Sequence, residues 1–268
     1  MKQRDFARAL AAGWTGPEAP RALMLAGSLG RGEADEWSDV DLLAVAPGEP
    51  ADLVEAFRDI LSRHATLFFF RASGGGTRML VNAVTEDWLR VDLFVLPEAE
   101  LLSRRAAEVV PLIDPDGLHG RMSGATGPRQ SSPQRAGFLV QEILRCFGLL
   151  PVVIGRGEVL TGQWGFITVR DLYTLLLKEV SPRADGGGAL HLSRIIDAAD
   201  VAALAAIPPP GADTAEIVEA HLALARIVLP RARAIAAELG IDWPGPMEDA
   251  LRRHLKATLG IDLPDRED

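Results

Sequence analysis

The sequence predicts an α+β protein in two parts. A mixed β-sheet with helices is expected over residues 1–114 and an all-helical bundle over 134–268, with a linker or mobile loop at 115–133. Three observations carry this expectation. The first half alternates short apolar runs with glycine-rich turns. Residues 115–133 are rich in Gly, Pro, Ser and Arg and show no apolar period. Beyond them, apolar residues recur at three- and four-residue spacing, as on one face of a helix.

Taken in order, Met1–Leu10 reads as a short amphipathic helix, with charges where a signal peptide would have its apolar region. Strands are expected at 21–27 and 39–46, separated by a glycine-rich turn. Leu53, Ala56, Phe57, Ile60 and Leu61 give Pro50–His64 helical spacing. Ala65–Phe70 is rich in aromatics and suits a buried strand. Gly74-Gly75-Gly76 reads as a hairpin turn, since it lacks the Lys-Ser/Thr of a phosphate loop. Strands at 79–83 and 89–96 follow, completing a sheet with helices on one face.

In the second half, Ser132-Pro133 has the form of an N-cap followed by proline at the first helical position. Ala136, Leu139, Val140, Ile143, Leu144 and Phe147 then make one apolar stripe. Further helices are expected at 164–180, 189–206, 213–239 and 246–259. Gly186-Gly187-Gly188, Pro208-Pro209-Pro210 and Pro244-Gly245-Pro246 separate them.

The 268 residues are 48% hydrophobic, as in a globular protein, and carry a formal charge of −9. That charge argues against a general nucleic-acid binder and is compatible with a cationic substrate. Cys146 is the only cysteine, so no internal disulfide forms and a reducing, cytoplasmic setting is the expectation. The apolar stretch 138–154 is interrupted by Gln141, Glu142 and Arg145, so no membrane span is expected. The five histidines are scattered and without cysteine partners, which speaks against a zinc site.

The most informative segment runs from Gly27-Ser28 to Asp39-Val40-Asp41. Residues two apart on a strand share a face, about 6.6 Å apart along the chain, so Asp39 and Asp41 present paired carboxylates. Like charges that close resist joint ionisation unless something positive lies between them. Magnesium with substrate phosphates suits such a pair. Asp92, among apolar residues on the 89–96 strand, adds a third acid that needs a partner. Taken alone, each part has an ordinary explanation. Asp-x-Asp recurs by chance on exposed strands, Gly27 and Ser28 suit any turn, and Asp92 can pair with Arg90 or an arginine elsewhere. Taken together at this spacing, they point to a metal–phosphate site.

Ala26-Gly27-Ser28, the ten-residue gap and Asp39-Val40-Asp41 resemble the signature of the nucleotidyltransferase superfamily related to DNA polymerase beta. The fused helical half resembles more particularly the lincosamide and aminoglycoside nucleotidyltransferases, through the Gly-Ser run and Arg156-Gly157-Glu158. The likeness covers about 17–46, the Asp92 strand and about 137–178. It implies a nucleotidyltransferase fold for the first domain and a substrate-binding role for the second. It further implies transfer of a nucleoside monophosphate from ATP or another NTP to a hydroxyl, with two Mg²⁺ ions. Asp39, Asp41 and Asp92 would hold the metals, with Asp92 sharing the second ion or taking the hydroxyl's proton. Gly27 and Ser28 would bind phosphates. Arg31 either adds charge there or lies solvated beside Glu33 and Asp35, and Ser38 is a candidate to orient Asp39.

Glu142 lies off its helix's apolar stripe and is the candidate general base from the helical half, with a solvated pair to Arg145 as its other reading. Arg170 and Lys178 either reach a triphosphate or lie on a wet face, and Tyr173 either stacks on a ring or packs in the core. The implied acceptor is a small molecule, such as a cationic antibiotic, and the implied assembly is a monomer or homodimer. The competing functions are a nucleotide-binding regulatory protein or toxin–antitoxin partner, and adenylylation of a protein or RNA end.

Overall fold

The computed structural model describes residues 2–124, 131–181 and 192–264. The chain divides into two compact units, Met1–Gly127 and Pro128–Asp268.

The first unit is built from α1 (Lys2–Ala12), β1 (Ala22–Leu25), α2 (Gly27–Arg31), β2 (Val40–Val45), α3 (Pro50–His64), β3 (Leu67–Gly75), β4 (Arg78–Thr85), β5 (Arg90–Val95), α4 (Glu98–Leu102), β6 (Val110–Ile113) and α5 (Leu118–Arg121). The strands form one sheet in the order β3-β4-β5-β2-β1-β6. β2 and β5 run parallel, and every other neighbouring pair is antiparallel. Alternation along the strands decides the two faces. Val40, Leu42 and Ala44 of β2, with Val91, Leu93 and Val95 of β5, pack against Ala7 and Leu10 of α1 and Leu53, Phe57 and Leu61 of α3. The intervening residues turn to the opposite face.

That opposite face is not bare. Ala22, Met24, Leu43 and Val45 pack with Leu101 of α4 and Leu118 of α5 in a smaller cluster. The expected one-sided sheet therefore carries helices on both faces. Part of the stretch expected to be a linker folds here too. Asp114 accepts the backbone N–H groups of Leu118 (2.7 Å) and His119 (3.0 Å), capping α5. Arg121 donates to Glu98 at 2.9 Å, and Ser123 N–H to the Leu102 carbonyl at 2.8 Å. The polar composition of this segment reflects side-chain capping and ion pairing around a single buried leucine.

Two further expectations are corrected. Ala65–Phe70 does not form a buried strand, because β3 lies at the sheet edge and Phe68 is 67% exposed. β6 was not anticipated. Pro111 argues against a central strand, and β6 occupies the opposite edge, where a missing N–H is tolerated.

The β4–β5 turn holds a backbone oddity. Trp88 has φ of 64°, the left-handed region, and its side chain is 74% exposed. Thr85 carbonyl accepts the Trp88 N–H at 3.0 Å, and Thr85 N–H donates to the Leu89 carbonyl at 3.0 Å, so the turn geometry demands this conformation. A bulky residue there is strained. Trp88→Gly is expected to raise the unfolding free energy by about 1 kcal/mol, measured by urea denaturation.

The second unit contains, among the described residues, seven helices: α6 (Pro133–Phe147), α7 (Leu150–Arg156), α8 (Val159–Val180), α9 (Leu192–Ile195), α10 (Ala198–Ala205), α11 (Thr214–Glu238) and α12 (Gly245–Leu259). Ser132 caps α6 by accepting the Arg135 N–H at 3.2 Å, with Pro133 in the first turn. α8 begins five residues before its expected start. Gly162, which weakens a helical reading, is needed for packing, since a Cβ there would lie 2.9 Å from Ile217 Cδ1 of α11. The segment expected as one helix at 189–206 is two short ones, and its first residues, 189–191, lie outside the described residues, as do Gly186–Gly188. Pro133–Arg156 is long and apolar enough by composition to cross a membrane. Its stripe from Ala136 to Leu150 instead builds the bundle core with Phe166, Tyr173, Leu224 and Val228.

Candidate active site

The parallel pairing of β2 and β5 places Asp41 directly beside Asp92. Both point to the face away from α1 and α3, as does Asp39 at the entrance of β2. Oxygen atoms of the three carboxylates lie within 4.8 Å of one another. β4 runs antiparallel on the other side of β5, with Asn82 opposite Asp92, and Asn82 Nδ2 donates to Asp92 Oδ1 at 2.9 Å. Arg90 Nη2 lies 3.3 Å from Asp39 Oδ2. The arginine that the sequence offered as a partner for Asp92 thus pairs with Asp39, and an asparagine holds Asp92.

The electrostatics are those of an incompletely neutralised anionic cluster. Burial, reinforced by Asp39 and Asp92, pushes the Asp41 carboxyl up to about 6 against the pull of Arg31 and Arg90. Burial likewise raises Asp92, opposed by the Asn82 hydrogen bond and Arg90 and reinforced by Asp39. A divalent cation removes this penalty directly, because it replaces repulsion between carboxylates by shared attraction. The donor set, all carboxylate oxygen, suits magnesium or a similar hard ion.

α2 closes one side of the cluster. Gly27 has φ of 58°, and a Cβ on it would come within 1.9 Å of Asp41 Oδ2. Only glycine lets the backbone meet that carboxylate so closely. Ala26 N–H donates to the Asp41 carbonyl at 2.8 Å, fixing the start of α2 against β2. Ser28 is buried in the same turn. Arg31, at the end of α2, is largely buried and pairs with Glu33 at 3.0 Å while still lowering Asp41. Arg31 thus lies beside Glu33 without being solvated, and its charge is felt at Asp41.

Ser38 does not reach for Asp39. Its hydroxyl donates to Asp35 Oδ1 and accepts the Asp35 N–H, both at 3.0 Å, tying the turn that delivers Asp39. Two residues that the sequence did not single out brace the same loops. Gln3 Nε2 donates to the carbonyls of Glu36 (3.0 Å) and Ser38 (3.3 Å). Arg4 Nη2 donates to the Leu29 carbonyl at 2.8 Å. No local pattern announces them, since their partners are backbone carbonyls 25 to 35 residues away.

The remaining candidates belong to the second unit. Glu142 is held by Arg145 in a bidentate pair, with contacts of 2.8 to 3.1 Å, and the Arg145 hydrogen bonds hold its carboxyl below the usual range. Tyr173 is fully buried and its hydroxyl donates to Asp200 Oδ1 at 3.3 Å, the core-packing reading. The Arg170 guanidinium lies 5.8 Å from the centre of the Phe166 ring.

Part of the first unit matches a known protein family. Residues 9–68, which span α1 to the start of β3 and include Gly27, Ser28, Asp39 and Asp41, match the family described as nucleotidyltransferase domain. The first unit carries a nucleotidyltransferase-type fold. An aminoglycoside 6-adenyltransferase from Bacillus subtilis is similar at 13% identity, over 95% of this chain and 97% of that one, with a TM-score of 0.45. A nucleotidyltransferase-like protein from Exiguobacterium sibiricum is similar at 16% identity, over 96% of this chain and 87% of that one, with a TM-score of 0.36. No curated protein sequence matches the chain. This nucleotidyltransferase-type domain thus brings its own acidic triad, of which Asp92 lies outside the matched segment.

Proposed function

We propose that the protein transfers a nucleoside monophosphate, AMP from ATP, to a hydroxyl of a small molecule such as an aminoglycoside or lincosamide, releasing pyrophosphate. The observation that supports this reading is the Asp39–Asp41–Asp92 cluster set against the glycine-bearing turn of α2. Magnesium ions held by these carboxylates would stabilise charge on the attacking and leaving oxygens. Asp39 and Asp41 would hold the metal that carries the triphosphate, and Asp92 would complete the set. Gly27 gives the phosphates room beside Asp41, and the backbone N–H groups of Gly27 and Ser28 at the start of α2 would offer them donors.

Proton acceptance would fall to Asp92, which lies in the cluster, rather than to Glu142, whose bidentate pair with Arg145 makes its carboxylate a weaker base. Glu142→Gln is therefore expected to leave the rate at saturating ATP unchanged, measured by steady-state kinetics. Asn82→Ala is expected to weaken Mg²⁺ binding about 10- to 100-fold by freeing Asp92 to rotate, read by calorimetry.

The test is pyrophosphate release with Mg²⁺ and each NTP against a panel of aminoglycosides and lincosamides, with Asp41→Asn as control. Acceptor-dependent release that the variant loses is the expected result. Absence of release, together with no thermal shift by ATP and Mg²⁺, would overturn the proposal.

A further inference from the structure

We propose that the helical unit contains a small-molecule site of its own, which takes a compact, neutral, ring-bearing ligand presenting one hydroxyl or N–H donor to His221. A cavity of about 240 Å³ opens between α6, α7, α8 and α11. Its walls are apolar, with Leu149, Val153 and Trp164 among them, and His221 forms part of its lining. The volume suits a one- or two-ring molecule, since a 150 Å³ apolar cavity already admits benzene.

His221 gives the cavity its chemistry. The residue is only 4% exposed, and its Nδ1 lies 2.7 Å from the Ile217 carbonyl one helical turn back. That contact requires Nδ1 to carry the hydrogen, so Nε2 presents a lone pair. Edge-on contacts from Phe147 and Phe166, with ring centres 6.5 and 5.9 Å away, fix the ring plane. Among the described residues Nε2 has no hydrogen-bond partner. His221 lines the cavity, so an occupant of the cavity can supply the donor that Nε2 accepts.

Gly165 marks the same place from α8. A Cβ built on it would lie 3.6 Å from His221 Nε2 and, apart from the neighbouring backbone of its own helix, would meet nothing else within 4 Å, so the absence of a side chain there leaves the cavity open. The charge at its rim is already balanced, because Arg145 is paired with Glu142. A neutral ligand therefore fits better than an anion. This inference stands on the helical unit alone and does not depend on nucleotidyl transfer.

The test uses the full chain and two probes, indole and 1-methylindole, which share a ring system but differ in the N–H donor. Binding is followed by calorimetry and by saturation-transfer NMR. Indole is expected to bind one to one, and 1-methylindole about tenfold more weakly, the loss of one hydrogen bond to a buried acceptor. Gly165→Leu, which fills the cavity while improving helix propensity, is expected to abolish both. His221→Phe should make the two probes bind equally. Equal affinity of the probes for the unaltered protein, binding that survives Gly165→Leu, or no binding of indole at millimolar concentration would each overturn the proposal. If His221→Phe fails to fold, the probe pair and Gly165→Leu still decide.

Discussion

Asp41→Asn is expected to abolish pyrophosphate release, by more than about 10³-fold, and at the same time to stabilise the metal-free protein. The two effects share one cause. Burial and the charges of Asp39 and Asp92 hold the Asp41 carboxyl up to about 6, so at neutral pH its charge works against folding. Allowing for its partial exposure to solvent, removing that charge should be worth about 2 kcal/mol or less. The sign with pH follows directly. Between about pH 4 and 6 the folded state holds a proton on Asp41 that the unfolded chain has lost. Stability of the metal-free protein should therefore fall as the pH rises through that window and then level off. The Asn variant should lose the Asp41 share of this slope and keep the share that the raised Asp92 carboxyl contributes. Chemical denaturation at several pH values reads both effects, and an unstable or fully active variant would contradict them.

The largest loss of stability is expected from Glu248→Ala. Glu248 is fully buried at the start of α12 and accepts hydrogen bonds from Arg233, from Trp243 Nε1 at 2.8 Å and from Arg252 Nε at 2.8 Å. Arg252 also donates to the carbonyls of Leu263 (3.0 Å) and Pro264 (2.6 Å), so the same carboxylate organises the chain after α12. Removing it leaves buried guanidinium charge without its counter-charge, a loss of about 3–5 kcal/mol. Burial alone would raise the Glu248 carboxyl, but its three donors outweigh that and the net effect is a lowered one. Its contribution should therefore be complete at neutral pH and disappear on acidification through the lowered value. A loss under about 1 kcal/mol in urea denaturation would show that the network is not cooperative.

Much of the first unit was legible because its strands carry period-two apolar residues and its helices period-four ones. Val40, Leu42 and Ala44 announce the buried face of β2, and the same alternation turns Asp39 and Asp41 the other way. What the sequence could not state is which strands neighbour which. The closeness of Asp92 to Asp41 depends on β5 pairing in parallel with β2, and Asn82 becomes its partner only because β4 pairs with β5. Exposure at edges was misread for the same reason. The aromatics of β3 look like core, and Pro111 hides β6, until the order of strands is known. In the helical unit, glycine at 162 and 165 reads locally as a helix weakener, while its use is spatial: close packing at one position and an open cavity at the other.

The acid cluster as a metal site is the claim on which the functional reading rests. Its most direct test is Mn²⁺ titration followed by electron paramagnetic resonance, with the unaltered protein, Asp41→Asn and Asp92→Asn compared at pH 7.5 in the presence of a non-hydrolysable ATP analogue. Binding by the unaltered protein that is lost in both variants is the predicted result. Equal Mn²⁺ affinity in all three proteins would contradict the account.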